Sequence, residues 1–224
     1  MTVKSVFGHT HDTLFLVIAP KGIAMNASDP KFELRGINHL ALVCSDMKRT
    51  IDFYSGVLGM PLVKTLDLPD GLGQHFFFDC GGGNTVAFFW LADSPDAAPG
   101  VAAPKGRPDE GELASAVGSM NHVAFAVPPE KFDEYRSRLE AEGVAVSRVL
   151  NHDDSPSGVS RDVYPGTFVR SFYFQDPDGI LLEFACWTRS FTEDDVRHEP
   201  RTAADRHAPS AQRHQEGIHH APTS

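Results

Sequence analysis

The sequence is poor in cysteine and has no closely spaced cysteine pair. Its 224 residues include only Cys44, Cys80 and Cys186, which are far apart and odd in number. A disulfide scaffold uses an even number of cysteines, and a Cys-x-x-Cys zinc or redox motif has two cysteines separated by two residues. We therefore expect a reduced protein of the cytoplasm.

Positive charge is also scarce. The formal net charge is −10 at pH 7, whereas nucleic-acid phosphates are bound by basic faces. An N-terminal apolar run, residues 13–20, is far shorter than the roughly 20 residues that span a bilayer, and no signal-cleavage site follows it. We expect no nucleic-acid or membrane partner. Met25 is a second plausible start, so the choice between Met1 and Met25 stays open.

Several catalytic motifs are missing. The chain has no phosphate loop, no glycine-rich dinucleotide fingerprint and no nucleophile elbow. These absences disfavour nucleotide-dependent enzymes and serine hydrolases of the α/β type.

What the chain does contain is a repeat. Two stretches read Asn-His-x-Ala in an alternating apolar run that precedes a predicted amphipathic helix, and their histidines are His39 and His122. Matching context predicts a duplicated module with one histidine at the same place in each copy. Glu183 adds a carboxylate in the last predicted strand of the second copy. Two imidazoles and one carboxylate bind a first-row divalent metal and leave coordination positions open.

The predicted strands and helices follow the same order twice. Residues 35–92 form a first βαβββ module and residues 119–190 a second, joined by an Ala-, Pro- and Gly-rich linker at 93–118. In the second module we expect a strand over 144–150 and then a long polar loop over 151–166.

Both ends of the chain lie outside this repeat. Residues 1–34 are expected to be an N-terminal extension that is partly disordered. Residues 191–224 have too little apolar content to pack and are expected to be a disordered tail. The histidines of the tail are not spaced for chelation; they are His198, His207, His214, His219 and His220.

This arrangement resembles the vicinal oxygen chelate superfamily, which includes glyoxalase I, fosfomycin and bleomycin resistance proteins and extradiol dioxygenases. The resemblance covers residues 35–188. It implies an α+β fold in which the two βαβββ modules form a curled mixed-sheet cup around a metal site. His39, His122 and Glu183 are the implied ligands, and the metal is Fe(II) first, with Mn²⁺ or Zn²⁺ as alternatives.

One branch of the family is favoured by the number of ligands. A fourth ligand, where members have one, comes from the last strand of the first module, and our alignment places Phe88 there. Phenylalanine cannot bind a metal, so three ligands remain. The segment 172–183 resembles the extradiol signature, in which Tyr173 hydrogen-bonds the bound oxygen; simple strand packing of Tyr173 is an equal alternative.

Two absences weigh against ring cleavage, which needs a base and an acid. Asn84 and Tyr164 stand where our alignment places the proton-shuttling histidines of the dioxygenases. His75, predicted to share a strand face with Phe77, is the candidate acid–base residue, and a solvated strand end is its alternative. We interpret His152 as a solvated loop residue.

We therefore predict an Fe(II) extradiol-type dioxygenase that acts on a small, catechol-like or other oxygen-chelating aromatic, in a chain that can form a homodimer or a higher homo-oligomer. Two further classes stay open. One is a redox-neutral, metal-dependent glyoxalase, isomerase, lyase or thiol transferase. The other is a resistance-type protein that only sequesters its ligand.

Overall fold

The first half of the chain folds into a four-stranded sheet. The computed structural model describes residues 32–203. The elements of this half are β1 (His39–Val43), α1 (Met47–Ile51) with a π-helical continuation (Asp52–Val57), β2 (Leu62–Asp67), β3 (Gly73–Gly81) and β4 (Asn84–Leu91). The strand order is β1-β4-β3-β2, in which β1 and β4 are parallel and the other pairs antiparallel.

The second half repeats this plan with one extra strand. Its elements are β5 (Val123–Ala126), α2 (Phe132–Ala141), β6 (Leu150–His152), β7 (Val159–Ser160), β8 (Val169–Gln175) and β9 (Leu181–Trp187). The order is β5-β9-β8-β6-β7, and the β5–β9 pair is parallel. Short 3₁₀ turns lie at Pro69–Gly71, Pro108–Glu110, Pro129–Lys131 and Glu193–Asp195. Two mixed, open sheets with few helices confirm the predicted α+β fold class.

The expected strand over 144–150 is wrong in its extent, because regular pairing begins only at Leu150. Ser147 explains the difference. Its backbone N–H donates to the carbonyl of Tyr173 (2.8 Å), but its side-chain hydroxyl, rather than a backbone carbonyl, accepts from the N–H of Tyr173 (2.9 Å). The segment after β6, expected to be all loop, contains β7, which pairs with β6 at the sheet edge.

The first helix begins at an acidic cap. The carboxylate of Asp46 accepts the backbone N–H of Arg49 at 3.0 Å and caps α1 at its N-terminus, as expected of an Asp before a helix. The regular α-helical part is short, since residues from Asp52 onward adopt the π-helical turn.

One apolar core joins the two halves. It takes Phe78 and Phe88 from the first sheet, Phe172 and Phe174 from the second, and Tyr54 from the helical segment. Because alternate strand residues lie on opposite faces, each sheet turns its other face away from this core.

The two ends of the chain add little to the described structure. Most of the extension and the tail, including His207, His214, His219 and His220, lies outside the described residues, whereas His198 is described and exposed. Cys44, Cys80 and Cys186 are free thiols. Between residues 32 and 203, no helix is long and apolar enough to cross a membrane.

Candidate metal site

His39 opens β1 on the face of the first sheet that is turned away from the core. It is exposed, as are Ala41 and Val43 on the same face. Its Nδ1 lies 2.8 Å from the side-chain Oδ1 of Asn38. An amide oxygen only accepts, so Nδ1 donates its proton and the outer nitrogen, Nε2, is left to bind a metal.

His122 repeats this arrangement in the second half. Its Nδ1 lies 2.8 Å from Oδ1 of Asn121. The orientation of the Asn121 amide is set independently, because its Nδ2 donates to the carbonyl of Leu113 at 2.9 Å. The repeated Asn-His pair therefore orients both imidazoles in the same way, with Nε2 directed outward.

The Nε2 atom of His122 meets a carboxylate. It lies 3.0 Å from Oε2 of Glu183, and the register places Glu183 directly opposite Ala124 of β5. An imidazole nitrogen and a carboxylate oxygen therefore lie side by side at this place. A divalent cation can be held by the same two atoms, so the donor set fits a metal.

Glu183 is kept ionised although it is 5% exposed. Burial alone would raise the pKa of its carboxyl group, but hydrogen bonds from His122, Ser171 and Tyr173 hold the pKa below its ordinary value. Tyr173 stands directly opposite Glu183 in the β8–β9 ladder. Burial and then the charge of Glu183 raise the pKa of the Tyr173 hydroxyl, so this group remains a hydrogen-bond donor.

The structure does not bring the three predicted ligands together in one chain. Within residues 32–203, no three His, Cys, Asp or Glu side chains are grouped so that they could hold one metal ion. His122 and Glu183 are paired on the second sheet, whereas His39 stands on the first. The cause is the shared core, which occupies the space between the other faces of the two sheets.

The position equivalent to Glu183 in the first half is Ala87, not Phe88. Ala41 pairs with Ala87 in the β1–β4 ladder, as Ala124 pairs with Glu183 in the β5–β9 ladder. Phe88 is one residue further along, so it points into the core and is fully buried. A one-residue change of register moves a side chain to the other face. The predicted alignment was wrong, although alanine provides no fourth ligand either.

His75 lies on the outward face of the first sheet, as its spacing from Phe77 predicts. Its ring stacks on Phe89, with centroids 3.7 Å apart and planes at 13°, and also contacts Phe77. Phe77 in turn lies 5.8 Å from the His39 ring. Burial, followed by the nearby His39, lowers the pKa of His75, so this imidazole is neutral in an aromatic row beside His39.

Sequence reasoning missed His152. It is half-buried in β6 rather than solvated in a loop, and its Nε2 lies 3.1 Å from Oγ of Ser171. Burial lowers the pKa of His152, and the charge of Glu183 partly opposes this shift. Two-residue spacing from Leu150 along the strand is the only signal that could have located it.

The two residues that replace the dioxygenase histidines have structural partners. The side-chain Nδ2 of Asn84 donates to the carbonyls of Gly81 and Gly82, which closes the β3–β4 hairpin. The hydroxyl of Tyr164 donates to Asp153 at 3.1 Å. Both side chains therefore make hydrogen bonds within their own hairpin or loop.

Comparison with known proteins identifies the family. A model of the Glyoxalase/Bleomycin resistance protein/Dioxygenase superfamily matches residues 36–184. Glutathione transferase FosA of Serratia marcescens is 27% identical over 150 residues, which are 67% of this chain and 79% of that protein. Metallothiol transferase FosB of Shouchella clausii is 28% identical over 172 residues, 77% of this chain and 92% of that protein.

A solved structure adds a further match. The crystal structure of FosX, a fosfomycin resistance protein of Listeria monocytogenes, aligns with 69% of this chain and 95% of its own, at 21% identity and a TM-score of 0.44. The family model alone spans most of both modules. The chain therefore belongs to the glyoxalase/bleomycin resistance protein/dioxygenase superfamily.

Proposed function

We propose that this chain is a metal-dependent transferase that joins a thiol to a small molecule bound through its oxygen atoms. The observation that carries the proposal is the His122–Glu183 pair, with its oriented imidazole and ionised carboxylate. The choice of reaction is supported by two relatives that are named as transferases of glutathione or of metallothiol type.

Thiol transfer, one of the redox-neutral alternatives, takes the place of the ring-cleaving dioxygenase reaction predicted from the sequence. Ring cleavage needs proton-transfer groups, and Asn84 and Tyr164 are engaged in the hairpin and in the loop. Thiol transfer requires no change of metal oxidation state, so Mn²⁺ or Zn²⁺ takes precedence over Fe(II). The relatives also give no reason to expect that the substrate is aromatic.

The roles of the residues follow from their places. His122 and Glu183 hold the metal, which when bound polarises the substrate oxygens and makes the neighbouring carbon more electrophilic. The thiol sulfur bonds to that carbon, a carbon–oxygen bond opens, and the thiol proton passes to the released oxygen. Tyr173, whose hydroxyl bonds Glu183, would exchange that hydrogen bond for one to a substrate oxygen.

His39 completes the site from a second copy of the chain. In one copy it stands on a different sheet from the other two ligands, on an exposed face. Residues 122, 124 and 126 are likewise exposed at the β5 edge of the second sheet. A two-fold dimer that apposes the first sheet of one copy with the second sheet of the other makes two identical sites. His75 then lines the same cavity as a candidate acid–base residue.

Complementation between two inactive variants tests the shared site. His39→Ala and Glu183→Gln each remove a ligand, so each homodimer should retain no metal at stoichiometric Mn²⁺ or Zn²⁺. In a 1:1 co-expressed mixture half of the dimers are mixed and each has one intact site, so about a quarter of wild-type metal content should return. No recovery in a verified mixed dimer would show that the site is not shared.

The reaction is tested by thiol consumption. The metal-loaded full chain is incubated with glutathione or cysteine and with fosfomycin or other small electrophiles bearing adjacent oxygens. We expect a product whose mass is the sum of thiol and electrophile, and none with Glu183→Gln. Oxygen uptake on catechols with Fe(II), without any thiol adduct, would instead establish the dioxygenase reaction.

A further inference from the structure

A row of polar side chains continues beyond Glu183 on the same face of the second sheet. Ser171, on β8, is fully buried, and its hydroxyl hydrogen-bonds the Glu183 carboxylate. On the neighbouring strand β6, Nε2 of His152 lies 3.1 Å from Oγ of Ser171. The row is thus His152, Ser171, Glu183 and His122; it crosses the strands β6, β8 and β9 and ends at the residue before β5.

The direction of these hydrogen bonds in the metal-bound site follows from proton counting. A carboxylate that binds a metal is deprotonated and only accepts, so Ser171 gives its hydroxyl proton to Glu183. The Ser171 oxygen then has only lone pairs left for His152, and Nε2 of His152 must donate. The bonds therefore run from His152 to Ser171 to Glu183, each donor strengthening the next.

We propose that His152 is a positioning residue for the metal site, which acts through Ser171 to hold the Glu183 carboxylate toward His122. This inference rests on the proposed metal site. It assigns a role to a residue that the sequence pattern placed in a solvated loop. The ring of His152 has only a distant aromatic neighbour, Phe168, at 6.4 Å between centroids, so its directed contact is the one with Ser171.

Two substitutions separate this role from simple packing. His152→Leu keeps a side chain of similar bulk but has no N–H. His152→Gln places an amide N–H near the position of Nε2 and can still donate to Ser171. Ser171→Ala breaks the row at its middle, and the double variant His152→Leu/Ser171→Ala tests whether both residues act through one path.

The measurement is Mn²⁺ and Zn²⁺ affinity of the metal-free full chain by titration calorimetry, with thermal unfolding of each metal-free variant. Loss of an outer hydrogen-bond partner typically weakens metal binding about 10- to 100-fold. We expect that loss for His152→Leu and Ser171→Ala, near wild-type affinity for His152→Gln, and no further loss in the double variant.

Three results would overturn the proposal: wild-type affinity for His152→Leu, equal losses for the Leu and Gln variants, or additive losses in the double variant. If His152→Leu does not fold, Ser171→Ala with and without His152→Gln gives the same decision. Failure of the metal site itself is recognised separately, because wild type and Glu183→Gln would then bind metal equally weakly.

Discussion

The hydroxyl of Tyr54 lies 3.2 Å from Oδ2 of Asp176, a contact between the helical segment of the first half and the last turn of the second. The other oxygen of Asp176 accepts the backbone N–H groups of Asp178 and Ile180 at 2.9 and 2.8 Å. Nearby, Arg49 pairs with Asp178 at 2.6 Å. These contacts fasten the two halves beside their shared core.

Asp176 should make stability depend on pH. Burial raises the pKa of its carboxyl group from 3.8 to about 6. Between these values the folded chain binds more protons than the unfolded chain, so the contribution of Asp176 is lost as pH rises through that window. The full effect is about 3 kcal/mol at most, at 1.36 kcal/mol for each pKa unit.

Asp176→Asn tests this dependence. An amide does not titrate, so the variant should lack the fall in unfolding free energy between about pH 4 and 6 that wild type shows. Urea denaturation at several pH values measures the difference. The exposed Asp162→Asn serves as the control, and an unchanged slope in the Asp176 variant would contradict the assignment.

Orientation of the two imidazoles that we propose as metal ligands should depend on the preceding asparagines. Asn121→Ala removes the acceptor of the His122 Nδ1–H, and we expect metal affinity to fall by about tenfold or more. Asn84→Ala, which alters only the hairpin, is the matched control. Titration with Mn²⁺ and Zn²⁺ measures both. Equal affinities in the two variants would mean that Asn121 does not orient the ring.

Metal binding at His122 and Glu183 should depend on pH. Imidazole and carboxylate groups bind a cation only in their deprotonated forms, so affinity should rise with pH and binding should release protons. Calorimetry in buffers of different ionisation enthalpy counts the protons. Binding that is independent of pH, with no proton release, would show that the metal takes another position.

Substitution of Phe88 and of its neighbour Phe89 should lower the free energy of unfolding by different amounts. Phe88 is fully buried, 4.7 Å from Tyr54 between ring centroids, so Phe88→Ala should lower the free energy of unfolding by about 3–5 kcal/mol. Phe89 lies half-buried against His75 on the outward face, and Phe89→Ala should cost clearly less. Denaturant unfolding compares them, and a reversed order would contradict the β4 register.

Sequence alone determined the features that depend on local spacing. Alternation in each strand put His39 with Ala41 and Glu183 with Ala185, because successive side chains in a strand lie on opposite faces. The repeated Asn-His pair indicated the duplication and predicted both candidate metal ligands, and the Asn contact of each ring is between adjacent residues.

Only the tertiary structure decided which residues face each other across strands. The parallel pairing of β1 with β4 places Ala87, and not the neighbouring Phe88, opposite Ala41. Likewise Ser147, by replacing a backbone acceptor with its hydroxyl, delayed the strand that carries His152. Such pairings join residues far apart in the chain, so no local pattern encodes them.

The separation of His39 from Glu183 was decided by tertiary packing. It follows from the way that both sheets and both helices pack their apolar faces into one core. That packing is the sum of many weak, non-directional contacts. Sequence spacing shows that the three ligands belong on outward faces of their strands, but packing determines that one chain does not bring them together.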